Sequence, residues 1–374
     1  MWTNIYLLGA VSLLTDISSE MIKAVLPAFL VALGAGGFAI GLAGNLPEVF
    51  QGIAHYLSGA LSDKTGKRKP LIFAGYLMSC LSKLLMAVSP TALILAASRS
   101  GERVGKGLRI APRDSLIGDT VAKEFAGKAF GIQKAMDSAG AVIGTLSAYI
   151  MWQMGFDIKS IIFAGAAISF IALPPILLLR EKFISGKSGE AESDGKKLNS
   201  VFIYAGLFSA ANINYLFFIS FVQLTYKNTG YAVSSGILAY ILYNIAYSVF
   251  AVPAGKFASG KGCRKGLVIA NILFLVLCAF FVFAPSAYLT PSMLILGITA
   301  AFSKVSLKTW VNELSPSAKR GRNMGMFQLT QSFALLGGGI LQGFLWNINY
   351  LYTFASGLIM GALALVFLFT VKEI

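Results

Sequence analysis

Acidic and basic side chains recur at helical spacing inside the apolar stretches of the first half of this chain. Asp16 and Glu20 lie four residues apart, so on a helix they share a face. Asn45, Glu48 and His55 fall along one stripe of the next apolar stretch, and Lys83 stands within the third. Arg99, Glu102, Arg103 and Lys106 form a charged stripe on the fourth, and Lys134 and Asp137 lie three apart on the fifth. At the centre of a membrane span each such charge costs roughly 2.5–3.5 kcal/mol on insertion scales, so it faces a partner or a cavity. Two chemistries fit: a static network of buried ion pairs, or proton uptake and release. A buried carboxylate keeps its proton unless a cation compensates it, and moving that cation away loads the proton. On this argument Glu48 is the proton-coupling carboxylate, Asp16 is the runner-up, and Glu20 and Asp137 belong to the same set. Arg99 or Arg103 is the expected electrostatic partner of Glu48, with Lys134 and Lys83 as further charge partners. The lone histidine, His55, reads as interfacial rather than as a relay.

The second half offers a different chemistry. Asn212 and Tyr215, then Tyr240, Tyr243, Asn244 and Tyr247, then Gln328 and Gln331, fall at helical spacings that let them converge. Aromatic faces and amides can hold an amphipathic or aromatic small-molecule substrate without fixing its charge. The alternative is that the tyrosines pack and the amides bond across helices.

These residues are related by an internal repeat. GALSDKTGKRK at 59–69 returns as GKFASGKGCRK at 255–265, 196 residues further on, and AGKAFG at 126–131 returns as RGRNMG at 320–325, at an offset of 194. The first offset carries Asp16 to Asn212 and Glu48 to Asn244; the second carries Lys134 to Gln328 and Asp137 to Gln331. Charge in the first half faces neutral amide in the second, and beyond residue 199 the only acids are Glu313 and Glu373.

The elements that must position these groups follow from composition. The chain has 374 residues, 56% of them apolar and 13% charged, with a mean hydropathy of +0.72. A bilayer core takes roughly 20 residues per helix, so twelve helices fit with short loops and no folded soluble domain. The apolar stretches predict helices near 5–33, 38–60, 70–89, 91–111, 128–151 and 159–180, and again near 200–224, 232–254, 266–284, 287–311, 323–345 and 349–371. The expected fold is an all-α integral membrane protein of twelve transmembrane helices in two pseudo-symmetric six-helix bundles, 1–180 and 200–374. The polar stretch 181–199, with its glycines and serines, reads as a flexible linker. Gly140 and Gly144, and Gly337, Gly338, Gly339 and Gly343, are expected to let the fifth and eleventh helices approach their neighbours closely.

The net charge of +15 falls on alternate loops, as in Lys64 to Lys69 and Lys256 to Lys265. That is the positive-inside pattern, with both termini cytoplasmic in a multi-pass plasma-membrane protein. The basic balance therefore speaks for the lipid bilayer as partner and against nucleic acid. No basic flank precedes the first apolar run, as a secretion signal would require. Cys80 and Cys278 fall in apolar helices and Cys263 on a cytoplasmic loop, a pattern without a disulfide framework or metal site. GERVGKG at 101–107 lacks the spacing and the hydroxyl residue of a phosphate loop, and one histidine supports no catalytic triad, so no enzyme is expected.

Residues 59–69 resemble the loop signature of the major facilitator superfamily between its second and third helices: Gly59, Leu61, Asp63, Gly66, Lys67 and Arg68 fall in register. Arg99 lies where that superfamily often has an arginine. Gly140 and Gly144 resemble its antiporter motif, with Thr145 in place of the usual proline. TDISSEM in the first helix and GKGLRIAPRD after the fourth are similar to a prokaryotic subgroup of that family. The resemblance implies a cytoplasmic gate at Gly59, Asp63, Gly66, Lys67 and Arg68, with Asp63 latching the halves; a tight turn with topogenic charge is the alternative. It also implies a monomeric secondary transporter without cofactor, driven by a proton gradient. Na⁺ coupling through Asp16 and Ser18 or Ser19 stands beside it. Proton-coupled export of a small organic molecule leads, with organic-anion uptake or exchange and a non-transporting receptor as rivals.

Overall fold

A bilayer offers backbone N–H and C=O groups no partner, so a spanning segment must satisfy them internally. This chain does so with helices throughout, and no strand occurs among the described residues. The computed structural model describes residues 2–120, 123–179, 195–226, 230–258, 262–283, 288–315 and 320–371; side chains at a few helical positions, Asp63 and Lys134 among them, lie outside the described set.

The helices run α1 (Trp2–Ala32), α2 (Gly37–Thr65), α3 (Lys69–Ala87), α4 (Ala92–Thr120), α5 (Lys123–Gln153), α6 (Ile158–Ile171) and α7 (Pro174–Leu177). There follow α8 (Gly195–Ala211), α9 (Tyr215–Thr225), α10 (Ala232–Ala258), α11 (Cys263–Phe283), α12 (Leu289–Leu314), α13 (Arg320–Ile348) and α14 (Tyr350–Thr370). Twelve spans account for these fourteen elements, because α6–α7 and α8–α9 are each one span interrupted. The first interruption precedes Pro174 and Pro175, whose rings and missing donors break the ladder. The second falls at residues 212–214, where Asn214 adopts extended backbone and its side chain caps α9 by accepting from Leu216 N at 3.1 Å.

Among the described residues eight segments are long and apolar enough to cross a membrane: α1, α3, α6–α7, α8–α9, α10, α11, α12 and α14. Among the other long helices, α4 carries the charged stripe and α2, α5 and α13 carry glycines and polar groups. These are helices whose faces must find protein.

Contacts divide the chain into two compact units, residues 1–34 with 46–187, and residues 35–45 with 188–374. In the first unit α1 packs on α5 and α6, and α3 on α4 and α6. In the second, α8 packs on α13 and α14, and α11 on α12 and α14. The same pairing scheme occurs twice, as the sequence repeat requires. The first turns of α2 belong to the second unit: Gly37 N donates to Asn347 Oδ1 at 2.7 Å, and Asn214 Nδ2 donates to Asn45 Oδ1 at 3.0 Å.

Small residues set the closest approaches. Gly140 stands against the Leu13 carbonyl and Asp16 Cβ, and Gly144 against the Ile17 backbone, so α5 lies directly on α1. Gly338 does the same on Ala210, and Gly343 on Gly37. Gly337 departs from expectation, because it faces open space.

Several boundaries move. α2 continues to Thr65, which puts Asp63 in its last turn rather than after it; Gly66, at φ +66°, ends the helix with its N–H on Ser62 O at 2.8 Å. α4 runs through Pro112 to Thr120, so GKGLRIAPRD is part of that helix and not the segment after it. Residues 195–199 of the expected linker are the first turn of α8, while 180–194 lie outside the described residues. Cys263 is the buried first residue of α11 rather than a loop residue, and all three cysteines are free.

The repeated basic loops have a structural task within their own units. Lys69 Nζ donates to Leu177 O at 2.6 Å and Leu179 O at 3.1 Å, at the carbonyl end of α7. Arg264 Nη2 donates to Phe369 O at 2.9 Å, at the carbonyl end of α14. Each loop places a cation on the negative end of the last helix of its unit.

The glycine contacts make a paired prediction. Gly144→Val should destabilise the protein by about 1–3 kcal/mol, because α1 and α5 must separate to admit the side chain. Gly337→Ala should be neutral or stabilising, by up to about 1 kcal/mol. Thermal unfolding of both variants in detergent checks the contrast.

Candidate functional site

In the first unit the charged stripe of α4 is answered from three neighbouring helices. Toward α2, Arg103 Nη2 meets Glu48 Oε1 at 3.0 Å and Nη1 donates to Gln51 Oε1 at 3.1 Å. Glu48 and Gln51 are three residues apart, so one guanidinium spans one turn of α2. Glu102 Oε2 lies 3.7 Å from Arg103 Nε, which makes Arg103 the centre of an acid–arginine–acid group. Arg99 is 2% exposed on the same face and within the electrostatic reach of Glu48. Of the two arginines, Arg103 is the one in direct contact with Glu48.

Toward α3, Arg109 Nη1 donates to Ser79 Oγ at 2.7 Å, and its guanidinium sits 4.3 Å from the centre of the Tyr76 ring. Toward α1, Arg113 Nη1 donates to Ser12 Oγ at 3.1 Å while its other nitrogens hold Asp114 at 2.9–3.0 Å. Gln133 of α5 reaches the same Ser12 hydroxyl and also donates to Asp137 Oδ1 at 3.2 Å. Asp137, Gln133, Ser12, Arg113 and Asp114 thus form one chain of polar contacts across α5, α1 and α4.

Lys83 is fully buried, and it crosses from α3 to α1, donating to Ser18 Oγ at 2.9 Å and approaching Thr15 O at 3.5 Å. Asp16 is half-buried against Gly140 and close enough to Lys83 and Lys106 to interact with both. Glu20 pairs with Lys23 one turn along α1. His55 is half-buried where α2 meets Gly107 of α4. The side chains of Asp63 and Lys134 lie outside the described residues; Lys67 and Arg68 lie beside the turn at Gly66, and Gly59 lies about two turns earlier within α2, facing Ala111 of α4.

Sequence reading missed Ser12, Arg109, Arg113 and Gln133. Arg109 and Arg113 continue the stripe of Arg99, Arg103 and Lys106 at steps of three and four. The signal was present for both, and a helix ended at residue 111 cuts off Arg113 but not Arg109.

In the second unit Tyr215, the first residue of α9, lies against two rings of α10. Its centroid is 5.1 Å from Tyr240 and 6.5 Å from Tyr243. Tyr240, Tyr243 and Tyr247 follow along α10, with centroids 5.7 and 6.3 Å apart. Lys304 Nζ of α12 lies 5.4 Å from the centre of the Tyr247 ring. Asn244 is buried and its Nδ2 has no hydrogen-bond partner. Asn212 lies at the interruption of the seventh span. Gln331 is directed elsewhere, donating to Ser209 Oγ at 3.4 Å on α8, and Gln328 is half-buried on α13. The structure therefore gathers Tyr215, Tyr240, Tyr243 and Tyr247 and records no contact that brings Gln328 or Gln331 to them.

Comparison with known proteins gives the following. The sequence profile of the Major Facilitator Superfamily matches residues 8–224 and 202–373. An uncharacterised MFS-type transporter of Methanocaldococcus jannaschii is 34% identical over 370 residues, spanning 96% of this chain and 93% of that one. The multidrug resistance protein MdtH of Blochmanniella pennsylvanica is 32% identical over 144 residues, 38% of this chain and 35% of its own. The crystal structure of the nucleoside transporter NupG shares the fold with a TM-score of 0.76, covering 98% of each chain at 18% identity.

The Glu48–Arg103 contact can be tested by itself. Arg103→Met takes the cation from the half-buried Glu48 and the buried Glu102 together, which should destabilise the protein by about 1–3 kcal/mol. Adding Glu48→Leu on that background should recover a large part of the loss. A double-mutant cycle of unfolding midpoints in detergent measures the coupling.

Proposed function

The chain belongs to the major facilitator superfamily of membrane transporters, which are not enzymes, and on that premise we propose that it exports a small organic molecule in exchange for protons. The observation that carries this reading is the Glu48–Arg103 pair of the first unit, a half-buried carboxylate in direct contact with one guanidinium and within reach of Arg99 and Lys106. Such a pair is a proton switch if the helices move. With Arg103 in contact, Glu48 stays ionised; with Arg103 withdrawn and water still excluded, the protonated form wins. α4 is suited to couple that change to motion, because its other basic side chains hold α1 and α3. A shift of α4 relative to α2 therefore alters the charge balance at Glu48 and the packing of the unit together.

Asp16 is the second candidate, since it lies on the α1–α5 contact beside Gly140 and feels Lys83 and Lys106. The loop at Gly59, Asp63, Gly66, Lys67 and Arg68 is proposed as the cytoplasmic gate, with the tight turn at Gly66 supporting it. The transporter acts by alternating access, as a plasma-membrane monomer with cytoplasmic termini and the proton gradient as its energy source, Na⁺ coupling at Asp16 being the alternative. The partial likeness to a multidrug resistance protein is in keeping with export.

One observation favours a second reading, exchange of an organic anion. Lys83, Arg99, Arg103 and Arg109 are all buried in the first unit, against Glu20 and Glu102 as buried acids. An excess of buried cations would suit an anionic cargo.

The test is collapse of an imposed pH gradient in vesicles containing the protein, triggered by organic cations, neutral compounds and anions in turn. The export reading predicts a compound-specific proton flux that Glu48→Gln abolishes while binding persists. A flux unchanged in both Glu48→Gln and Asp16→Asn would remove these carboxylates from the coupling. Flux triggered by anions alone would favour exchange.

A further inference from the structure

The second unit repeats the first with neutral groups where the first carries Asp16, Glu48 and Arg103, and what replaces them has a chemistry of its own. The 196-residue offset that carries Glu48 to Asn244 also carries Arg103 to Thr299. Where the first unit has an ion pair, the second has an amide and a hydroxyl. Asn244 is 6% exposed and Thr299 1% exposed, and neither Asn244 Nδ2 nor Thr299 Oγ1 has a hydrogen-bond partner. Two buried polar groups left open at matching positions are costly for the fold alone, which would be better served by apolar residues there.

Beside Asn244 stand the tyrosines. Tyr243 lies nearly parallel to three other rings, at 14° to Tyr215, 17° to Tyr240 and 16° to Tyr247. The phenylalanine pairs of the same unit are arranged otherwise. Phe202–Phe327, Phe218–Phe281 and the pairs between them in angle cross at 35° to 81°. The phenylalanine pairs are tilted or edge-on, whereas Tyr215, Tyr240 and Tyr247 each lie within 17° of Tyr243, with Tyr215 and Tyr240 at 30° to one another. Their placement is fixed by backbone features: the interruption at 212–214 starts α9 at Tyr215, and Gly297 of α12 seats directly on the Tyr243 carbonyl and the Tyr247 N–H.

We propose that this tyrosine ladder, with Asn244 and Thr299, is the subsite for a planar aromatic or heteroaromatic ring carrying a hydrogen-bond acceptor such as a carbonyl or carboxylate. The ring stacks parallel to Tyr243, to which Tyr215, Tyr240 and Tyr247 each lie within 17°. The acceptor takes the open amide hydrogen of Asn244 or the hydroxyl of Thr299. Lys304, above the Tyr247 ring, disfavours a cationic ring and tolerates an anionic one. The inference rests on the reading of the chain as a carrier of small organic molecules and names their class.

The experiment uses the full chain in lipid nanodiscs and titration calorimetry with matched probes: naphthamide, naphthoate and naphthylmethylammonium, each against its ring-saturated decahydro counterpart. The planar neutral and anionic compounds should bind about tenfold or more tightly than their saturated partners, the scale of one aromatic stacking contact. Tyr243→Leu should erase that preference. Asn244→Leu should weaken the planar probes while raising the thermal midpoint, since it removes an unsatisfied buried amide; a merely structural asparagine would lower the midpoint and leave binding alone. Lys304→Gln should reduce the advantage of naphthoate over naphthylmethylammonium. The inference is overturned if no planar probe binds, if planar and saturated probes bind alike, or if the preference survives Tyr243→Leu. A proton flux driven by non-planar compounds and indifferent to Tyr243→Leu would also sink it, while leaving the transport reading intact. Absence of any flux would count against that reading instead.

Discussion

A basic side chain taken out of water has to be answered by a carboxylate, a hydroxyl, a carbonyl or an aromatic face, and α4 presents that demand over about four turns. Arg103 finds Glu48 and Gln51 on α2, Arg109 finds Ser79 and Tyr76 on α3, and Arg113 finds Asp114 and Ser12. These contacts fix α1, α2 and α3 around α4 more tightly in position than apolar packing alone would, because hydrogen bonds have direction and burial makes their loss expensive. Buried ion pairs contribute little net stability over apolar residues of the same size. Their retention inside a membrane helix points to a role in which the charge itself is used.

The two units then divide the work. Both follow the same pairing of helices, and both use a basic loop to hold the carbonyl end of their last helix. The first keeps the titratable groups; among the described residues of the second, Glu313 is the acid. In exchange the second has a group of neighbouring tyrosines on α9 and α10 and, at the repeat positions of Glu48 and Arg103, the open side chains of Asn244 and Thr299. A coupling unit and a recognition unit built on one repeated scaffold is an economical account of that asymmetry.

Much of this was legible in the sequence, and the reasons are physical. Hydropathy and the loop repeat were enough for twelve spans, since length and apolar composition dictate what a bilayer accepts. Gly140, Gly144 and Gly343 announced close helix contacts, because a stripe of small residues has few other uses in a membrane. Helix ends were less legible. Asp63 and Arg113 sit on helices that outrun their apolar cores, where hydropathy ceases to report on the backbone. The helix expected to end near 111 continues through Pro112 to Thr120, as neighbouring helices in a membrane can allow. The interruption at 212–214 had a signal in its two asparagines, which favour caps and turns. Ser12 as a junction had none: a serine in an apolar helix is common, and only the fold brings Arg113 and Gln133 to it.

The account stands on Glu48 changing its protonation inside the membrane. Infrared difference spectroscopy on the protein in lipid, stepped from alkaline to acid pH, reads the carbonyl stretch of a protonated carboxyl group directly. The account predicts a band from a dry, protonated carboxyl that disappears in Glu48→Gln and persists in Glu102→Gln. A spectrum in which no band depends on Glu48 would mean that the pair with Arg103 never opens, and that Glu48 is a strut rather than the coupling group.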